Sequence, residues 1–293
     1  MALKFMQNYI YGKPNKPDFT QSDLPKNRFE LFRDVLKTRW NSMVSLNFLY
    51  ILIWIPAAVW TIINVAALFA EAGDGVVDIS QYLLPYLLIL FPLITITGPF
   101  NIGASFVCRN WARDEHAFVW ADFRDAMKAN WKQALLFSVI EGLLPLVLIF
   151  SIRFYTQMSA QSILFYLPAC ILMIVGVLWK LSAMVMPTLI VTYDLNFRNV
   201  VRNAFIMTMA ALPKAVAIKL ATLAVPLLVL LLGLVFPSTL LIAVSIAGCL
   251  YAVFMPAFNK LLIASYSNAV CEKYLNPKIA GARTNIGLRP DIK

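Results

Sequence analysis

The chain has 293 residues, of which 60% are hydrophobic and only 14% are charged, and its formal net charge is +10. Soluble domains carry roughly a quarter of charged residues, so this composition excludes an ordinary soluble protein and indicates a polytopic membrane protein. In a soluble protein the basic excess would favour nucleic acid as a partner. Here the basic residues follow membrane topology, so no nucleic-acid partner is expected.

The beginning of the chain is polar and then becomes amphipathic. Residues 1–28 contain three prolines and mixed charges, which predicts an irregular cytoplasmic leader. From residue 29 onward, apolar residues recur on one helical face, and Arg33, Lys37 and Trp40 accompany them. This pattern is typical of a helix in the membrane interface, so we expect residues 29–40 to lie on the inner leaflet.

Six apolar segments follow, and we predict that each crosses the membrane. The first, residues 45–69, has no charged residue. It is longer than the roughly 20 residues that a helix needs to span the hydrocarbon. The second contains prolines at positions 85, 92 and 99, which predict kinks. The other segments cover about residues 81–107, 133–152, 162–191, 215–235 and 238–264.

The distribution of lysine and arginine predicts the orientation. In this interpretation 23 of the 25 basic residues lie in the leader, the second and fourth connections and the tail, all on one side. Loops rich in lysine and arginine stay in the cytoplasm, so both termini are predicted to be cytoplasmic in a bacterial inner membrane. The chain divides into a cytoplasmic leader (1–28), a six-helix transmembrane domain (29–275) and a cytoplasmic basic tail (276–293).

The least generic stretch is residues 98–135, which joins the second and third spans. It mixes acidic and basic residues with aromatic residues at helical spacing, so we predict an amphipathic helix at the membrane surface. One motif of this helix occurs three times, as Phe32-Arg33-Asp34-x-x-Lys37-x-x-Trp40, Phe123-Arg124-Asp125-x-x-Lys128-x-x-Trp131 and Phe197-Arg198-Asn199-x-x-Arg202-x-x-Phe205. The copies predict a three-fold repeat of amphipathic helix plus helical hairpin, with both aromatic side chains in the leaflet. Convergence of basic-aromatic surface helices on one pattern is the alternative.

Two charged residues fall inside predicted spans. Glu141 lies about 12 Å and Lys180 about 17 Å from the inner ends of their helices, at 1.5 Å per residue. Similar depths on antiparallel helices allow an ion pair. Intramembrane charges can mark functional sites, so a polar substrate contact is one interpretation, but the pattern favours a structural role. The alternatives are a structural ion pair and a lysine that extends toward the cytoplasm.

The sequence offers little for catalysis. His116 is the only histidine, which excludes a metal site with two histidines, and the four cysteines are widely spaced. The group from Arg113 to His116 is predicted to form a turn and cap before a helix that begins near Phe118. No phosphate-binding glycine motif is present. We therefore expect no enzyme activity, no cofactor and no metal.

At the level of motifs, the chain resembles a known family. The matching segments are RFELFRDVLK ahead of LNFLYILIWIP, the stretch TGPFNIGASFVCRNWARDEHAFVWADFRDAMKANWKQAL, and TYDLNFRNVVRNAFIMTMAALPKAV. They resemble the YesL-like family of small bacterial integral membrane proteins, over about residues 7–275. The resemblance implies several membrane spans and no assigned activity. Genes of that family often lie beside those of carbohydrate ABC importers, which implies an accessory or regulatory role and gives no catalytic residues.

These observations predict an all-α polytopic membrane protein with six transmembrane helices and cytoplasmic amphipathic helices. The function expected first is a non-enzymatic accessory subunit that contacts the lipid bilayer and carbohydrate ABC importer subunits. The alternative is a small-molecule or lipid transporter with a polar site around Glu141 and Lys180. The predicted interaction surface comprises Arg33, Lys37, Trp40, Arg109, Arg113, Asp122, Phe123, Arg124, Lys128, Trp131, Lys132, Arg198 and Arg202.

Overall fold

The structure is a computed structural model that describes residues 24–72 and 79–290. Within those ranges the chain is helical and contains no strand, which confirms the predicted all-α class. Most of the predicted leader, up to residue 23, lies outside the described residues. The α-helices are α1 (Arg28–Thr38), α2 (Trp40–Leu52), α3 (Ile55–Ala72), α4 (Ile79–Trp111), α5 (Val119–Ala129), α6 (Trp131–Met158), α7 (Tyr166–Ser182), α8 (Met186–Thr192), α9 (Phe197–Ala210), α10 (Leu212–Thr222), α11 (Ala224–Val235), α12 (Leu240–Val253) and α13 (Met255–Tyr274).

Three helical stretches are long and apolar enough to cross a membrane on their own. They cover residues 81–111, 119–158 and 163–192. Three further helix pairs reach the required length only together, and they bend by 63° (α2 and α3), 99° (α9 and α10) and 65° (α12 and α13). The described chain therefore has between three and six helices that can cross a membrane.

Prolines explain where predicted spans are divided. The first, fifth and sixth predicted spans are each split into two helices, and a proline follows each break: Pro56, Pro226 and Pro256. A proline has no backbone N–H, so it removes one helical hydrogen bond and crowds the preceding turn. In contrast, α4 continues as one helix of 33 residues through three prolines.

Each amphipathic helix is separated from the next helix by a single residue. These residues are Arg39 (φ −112°, ψ 20°), Asn130 (φ −112°, ψ 11°) and Ala211 (φ −124°, ψ 28°). Their ψ values lie outside the α-helical range, which interrupts the helix without a loop. We call these three positions the break residues.

The amphipathic helices meet other helix ends at one end of the bundle. Arg28, at the start of α1, forms an ion pair with Glu272 near the end of α13 and donates to the Ala112 carbonyl just after α4. Gln133, at the start of α6, donates to the Leu195 carbonyl just before α9, at 2.8 Å. We call this the basic end, because the three amphipathic helices and their basic residues lie there.

The outer surface of the bundle is apolar along much of its length. On α11 alone, Leu227, Leu228, Leu230 and Leu231 are exposed. A continuous apolar surface of this kind is unfavourable in water and suits contact with lipid chains. The buried residues form two clusters. One centres on α8 and α9, and the other joins α1 and α2 to the end of α4 and to α13.

Candidate functional site

A polar cavity of about 300 Å³ lies between α4, α6, α7, α8, α10 and α13. We call it the central cavity. Its neutral polar lining residues are Thr97, Asn101, Ser105, Ser138 and Thr188, and its charged lining residues are Glu141, Lys180, Lys219 and Lys260.

Glu141 and Lys180 form the ion pair that their depths predict. The Lys180 ammonium donates to Oε2 of Glu141 at 2.7 Å, and the indole Nε1 of Trp179 donates to Oε1 at 2.6 Å. Both carboxylate oxygens of Glu141 are therefore already engaged. Since an ammonium and an indole N–H both donate to it, the carboxylate is held in one orientation.

Lys260 also lines the central cavity, and the groups that it contacts directly are uncharged. Its ammonium donates to Oδ1 of Asn101, approaches Oγ of Ser105 at 3.5 Å and lies 5.5 Å from the ring centroid of Tyr50. These contacts solvate the charge through dipoles and a cation–π interaction. They do not neutralise it.

Lys219 has neither an ion-pair partner nor a hydrogen-bond partner in the described chain. Its side chain lines the central cavity, and it forms no ion pair and no hydrogen bond with any part of the chain that the structure describes. It lies near enough to Lys180 and Glu141 to interact with both electrostatically. Lys219 is thus a cation at this site that has neither an ion pair nor a hydrogen bond within the described chain.

In the count of basic residues, Lys219 and Lys260 were included with the second cytoplasmic connection and the tail, at the inner ends of their spans; the structure shows that both line the central cavity with Glu141 and Lys180. Both lysines were counted as loop charges because each lies close to an amphipathic or polar segment. Removing them from the count leaves the basic excess of the loops in place. The signal that could have found them is local, since apolar residues flank each lysine on both sides, in AVAIKLATLAVP and PAFNKLLIA.

A second, apolar cavity shares two residues with the central cavity. It has a volume of about 470 Å³ and lies between α6, α7 and α10. We call it the lateral cleft. Lys180 and Lys219 are its charged members, and the rest of its lining is Leu148, Ile152, Met173, Gly176, Val177, Leu181 and Leu223. A polar and an apolar compartment therefore meet at two lysines.

A smaller cavity, of about 170 Å³, lies at the basic end beside Arg109 and Arg113. Unlike Lys219, both arginines reach a carboxylate: Arg109 lies 3.6 Å and Arg113 lies 3.2 Å from Glu115. Burial raises the pKa of Tyr193 here, and its hydroxyl donates to Oδ1 of Asn276 at 2.5 Å. Arg283 and Glu272 also line this cavity, so it too has more positive than negative side chains. It is the weaker candidate for a solute path because it is smaller and Arg109 and Arg113 are already paired with Glu115.

Phe123 does not belong to an exposed interaction surface, contrary to the sequence prediction. Its side chain is only 3% exposed and its ring lies 6.3 Å from that of Phe100 on α4. Close packing is possible because Gly103 faces it: a Cβ at Gly103 would lie 2.7 Å from the Phe123 carbonyl oxygen. The apolar face of α5 therefore packs on protein, and the leaflet contact predicted for this phenylalanine is wrong.

Three polar members of the predicted surface have roles within the fold. Asp122 accepts the backbone N–H of Phe118 at 2.8 Å and so caps the start of α5, a role that the sequence analysis gave to residues 113–116. Arg109 and Arg113 are largely buried and share Glu115. These residues position the connection between α4 and α5.

The remaining members of the predicted surface are exposed and lie on the amphipathic helices or at their ends. Trp131 and Trp40 are each about half exposed, although Trp40 also contacts Phe254 at 5.1 Å. The exposed basic residues are Arg33, Lys37, Arg124, Lys128, Lys132, Arg198 and Arg202.

The metal-ligating and thiol side chains of the described residues form no cluster. Among residues 24–72 and 79–290, no group of three histidine, cysteine, aspartate or glutamate side chains could hold a metal ion. All four cysteines are free; Cys108 and Cys271 are buried, and Cys170 and Cys249 are exposed on the apolar surface.

Comparison with known proteins gives one family match. The family described as "Protein of unknown function, DUF624" matches residues 43–152, and the YesL family is part of it. The matched region runs from α2 into α6 and includes Ser138 and Glu141. No curated protein and no solved structure matches the chain.

Proposed function

We propose that this protein is a transport protein of the bacterial cell membrane that takes a small polar or charged solute into the central cavity. The observation that carries the proposal is one cavity with four charged side chains in an otherwise apolar bundle. Ionisable groups are costly inside a membrane, and where they line a cavity they mark the path of a substrate or ion. A structural ion pair accounts for Glu141 and Lys180, but it leaves Lys219 and Lys260 unexplained.

In this proposal the chain crosses the membrane six times, with both termini in the cytoplasm. Helix α9 lies at the basic end, and the fifth crossing consists of α10 and α11. The contacts at the basic end support it, because the start of α1, the end of α4, the start of α6 and the end of α13 all lie there. The excess of lysine and arginine at that end supports the cytoplasmic assignment.

The six crossings form three units, each an amphipathic helix, an outgoing helix and a returning helix. The units align on the break residues, and the eighth residue after each break lies in the interior: Asn47, Ser138 and Lys219. Asn47 donates to the Ala252 carbonyl at 2.9 Å, which has lost its helical donor to Pro256.

Ser138 repeats the arrangement of Asn47 in the second unit. Its hydroxyl donates at 2.7 Å to the Thr95 carbonyl, which has lost its helical donor to Pro99. Lys219 and Pro187, a proline of the second returning helix, both line the central cavity. Asn47 and Ser138 each bond a carbonyl that a proline of a different unit has orphaned, which supports an arrangement of the units around a shared interior.

The third copy of the sequence motif lies seven residues farther from its break residue than the first two copies do. In the first two copies the break residue comes seven positions after the motif phenylalanine, at Arg39 and Asn130, but in the third copy Ala211 comes fourteen positions after Phe197. Seven residues are almost two helical turns, so the shifted motif keeps the same helical face. The structural equivalent of Phe123 in the third unit is therefore Ala204.

Cysteine accessibility tests whether the central cavity admits a polar solute. Ser105 lines the cavity and Ser245 faces outward on α12, and each donates to a carbonyl of its own helix. Each is changed to cysteine in a chain whose native cysteines are replaced by alanine, with folding checked by size-exclusion chromatography. In reconstituted vesicles, small charged methanethiosulfonates should modify Ser105→Cys and spare Ser245→Cys.

The charge of the reagent gives a second readout. With three lysines and one glutamate around the cavity, the anionic sulfonatoethyl reagent should react with Ser105→Cys faster than the cationic trimethylammonium reagent. Equal resistance of both cysteines to both reagents would show a closed interior and would rule out the proposed transport cavity.

An accessory role beside a carbohydrate ABC importer is the second candidate. It rests on the YesL-like resemblance and on the exposed basic and aromatic residues of the basic end, among them Lys128, Trp131 and Lys132. A photoreactive amino acid at Trp131 should then crosslink an importer subunit in cells, whereas the same group at the outward-facing Val147 should not. Crosslinks to lipid alone at both positions would count against this role.

A further inference from the structure

The central cavity has a charge that the chain does not balance. Glu141 contributes one negative charge, and Lys180, Lys219 and Lys260 contribute three positive charges. Both oxygens of Glu141 are engaged by Trp179 and Lys180. A lysine without a partner in a low-dielectric interior is unfavourable unless an anion, water or deprotonation relieves it. The following inference rests on the proposed cavity and concerns the ligand that it takes.

Lys219 differs from the residues at the equivalent positions of the other two proposed units. Asn47 and Ser138 use neutral side chains to hydrogen-bond carbonyl groups that prolines have orphaned. Lys219 occupies the third position, lines the central cavity and makes no hydrogen bond within the described chain. Its charge is therefore not explained by a hydrogen bond or an ion pair inside the bundle.

We propose that Lys219, with Lys180 beside it, holds the oxyanion of a bound ligand, a carboxylate or a phosphate. Two ammonium groups present up to six N–H donors, and one donor of Lys180 is already directed to Glu141. An oxyanion accepts several charge-assisted hydrogen bonds at once, which matches the remaining donors. Lys260 lines the same cavity and adds favourable charge.

The lateral cleft adds room for an apolar chain next to the oxyanion. It shares Lys180 and Lys219 with the central cavity, while the rest of its lining is apolar. An acidic lipid could therefore place its head group between the lysines and its chain in the cleft. A free anion could reach the same lysines through the central cavity, so the shared chemistry is the oxyanion.

The test uses the purified full chain in a neutral maltoside detergent. Thermal unfolding is followed with sodium phosphate, with dodecyl phosphate at low mole fraction in the micelles, and with sodium chloride at matched ionic strength. At least one phosphate probe should raise the unfolding temperature in a saturable manner, and chloride should not. A larger effect of dodecyl phosphate identifies a lipid source, and an equal effect of free phosphate identifies a soluble anion.

Lys219→Gln and Lys214→Gln form the matched pair of variants. Both lie on α10, but Lys214 is exposed and does not line the central cavity. Lys219→Gln should weaken phosphate binding about tenfold or more through loss of a charge-assisted hydrogen bond, and Lys214→Gln by less than about twofold. Without a probe, Lys219→Gln should unfold at the same or a higher temperature, since it removes an unpaired charge. Lys219→Arg keeps the charge and should retain most of the binding.

Two results would overturn the inference. One is the absence of saturable stabilisation by either phosphate probe, and the other is an equal response of Lys219→Gln and Lys214→Gln. If Ser105→Cys is nevertheless reactive with hydrophilic reagents, the transport cavity stands and only the ligand class is wrong. If Ser105→Cys is also inert, the proposed function fails with it.

Discussion

At the scale of single residues, prolines and their neighbours organise this bundle. A proline deprives the carbonyl four residues earlier of its helical donor, and in an apolar environment that carbonyl needs another. The carbonyl of Thr95 receives the hydroxyl of Ser138, and that of Ala252 receives the amide of Asn47. The Thr222 carbonyl, four residues before Pro226, receives the amide of Asn259 at 3.3 Å. Bonds between helices therefore replace the bonds that the prolines remove.

A substitution at Gly98 tests this packing, because the absence of a side chain there lets the Ser138 hydroxyl reach the Thr95 carbonyl. A Cβ at Gly98 would lie 2.2 Å from Oγ of Ser138 and 2.5 Å from the Ala134 carbonyl oxygen. We expect Gly98→Ala to lower the unfolding temperature in detergent by several degrees or to prevent folding, because the helix backbone at Ala134 cannot move away from the new methyl group without losing packing. Gly248→Ala is the control, since its Cβ meets nothing within 4 Å, and it should be neutral or slightly stabilising.

The ion pair of Glu141 and Lys180 predicts unequal effects for its two partners. Glu141→Gln leaves three lysines around the cavity with no carboxylate, and it should destabilise the protein by about 1 to 3 kcal/mol. Lys180→Gln should cost less, because the freed Glu141 carboxylate can turn to Lys219. Unfolding in detergent at neutral pH measures both, with Lys214→Gln as a surface control. Equal losses, or a larger loss for Lys180→Gln, would show that Lys219 does not compensate.

Residue chemistry was only partly predictable from the sequence. Glu141 and Lys180 are conspicuous because each interrupts an apolar run, and their ion pair follows from their depth. Lys219 and Lys260 could not be placed, because a lysine near a predicted boundary is read equally well as a loop charge. Only the helix break at Ala211 and the break before Pro256 move these lysines into the interior. Asn47 contacts both sides of the break before Pro256, because it donates to the Ala252 carbonyl and accepts from the N–H of Ala257.

At the scale of elements, the amphipathic helices were predicted correctly as helices. The apolar face of α5, however, was predicted to contact lipid, and in the structure it packs against α4. An apolar helical face does not say whether it meets lipid or protein, because both are apolar. The face of α5 that carries Phe123 packs on α4 through Gly103. In each motif copy the first aromatic residue is largely or partly buried and the second is about half exposed, as at Phe32 and Trp40.

The packing of α5 predicts a contrast between two phenylalanines. Phe123→Ala removes a buried ring at the contact with α4 and should destabilise the protein by about 3 to 5 kcal/mol. Phe118→Ala removes a ring that is 67% exposed at the start of the same helix and should have little effect in detergent. Equal unfolding temperatures for the two variants would show that α5 lies on the membrane surface instead of against α4.

At the scale of the whole molecule, the described chain has three to six helices that can cross a membrane, and the six crossings in three units remain a proposal. The sequence predicts apolar segments because membrane thickness fixes their length. It does not predict that three of them break before a proline, nor that several helices enclose one cavity. Those features depend on which helices become neighbours.

The six crossings predict opposite locations for two connections. A cysteine at Gly75 should react with a membrane-impermeant maleimide added outside intact cells, and a cysteine at Asp125 should react only after the cells are opened. Asp125 is exposed on α5 at the basic end, so burial does not protect it. Labelling of both positions from the same side would contradict both the crossing number and the positive-inside assignment.

A cryo-electron microscopy map of the full chain in lipid nanodiscs tests the central claim most directly. We expect an open cavity between α4, α6, α7, α8, α10 and α13, with the Glu141 and Lys180 pair on its wall and non-protein density against the ammonium of Lys219. A bundle closed at this place, with Lys219 paired to Glu141 or turned toward lipid, would contradict both the proposed cavity and its proposed ligand.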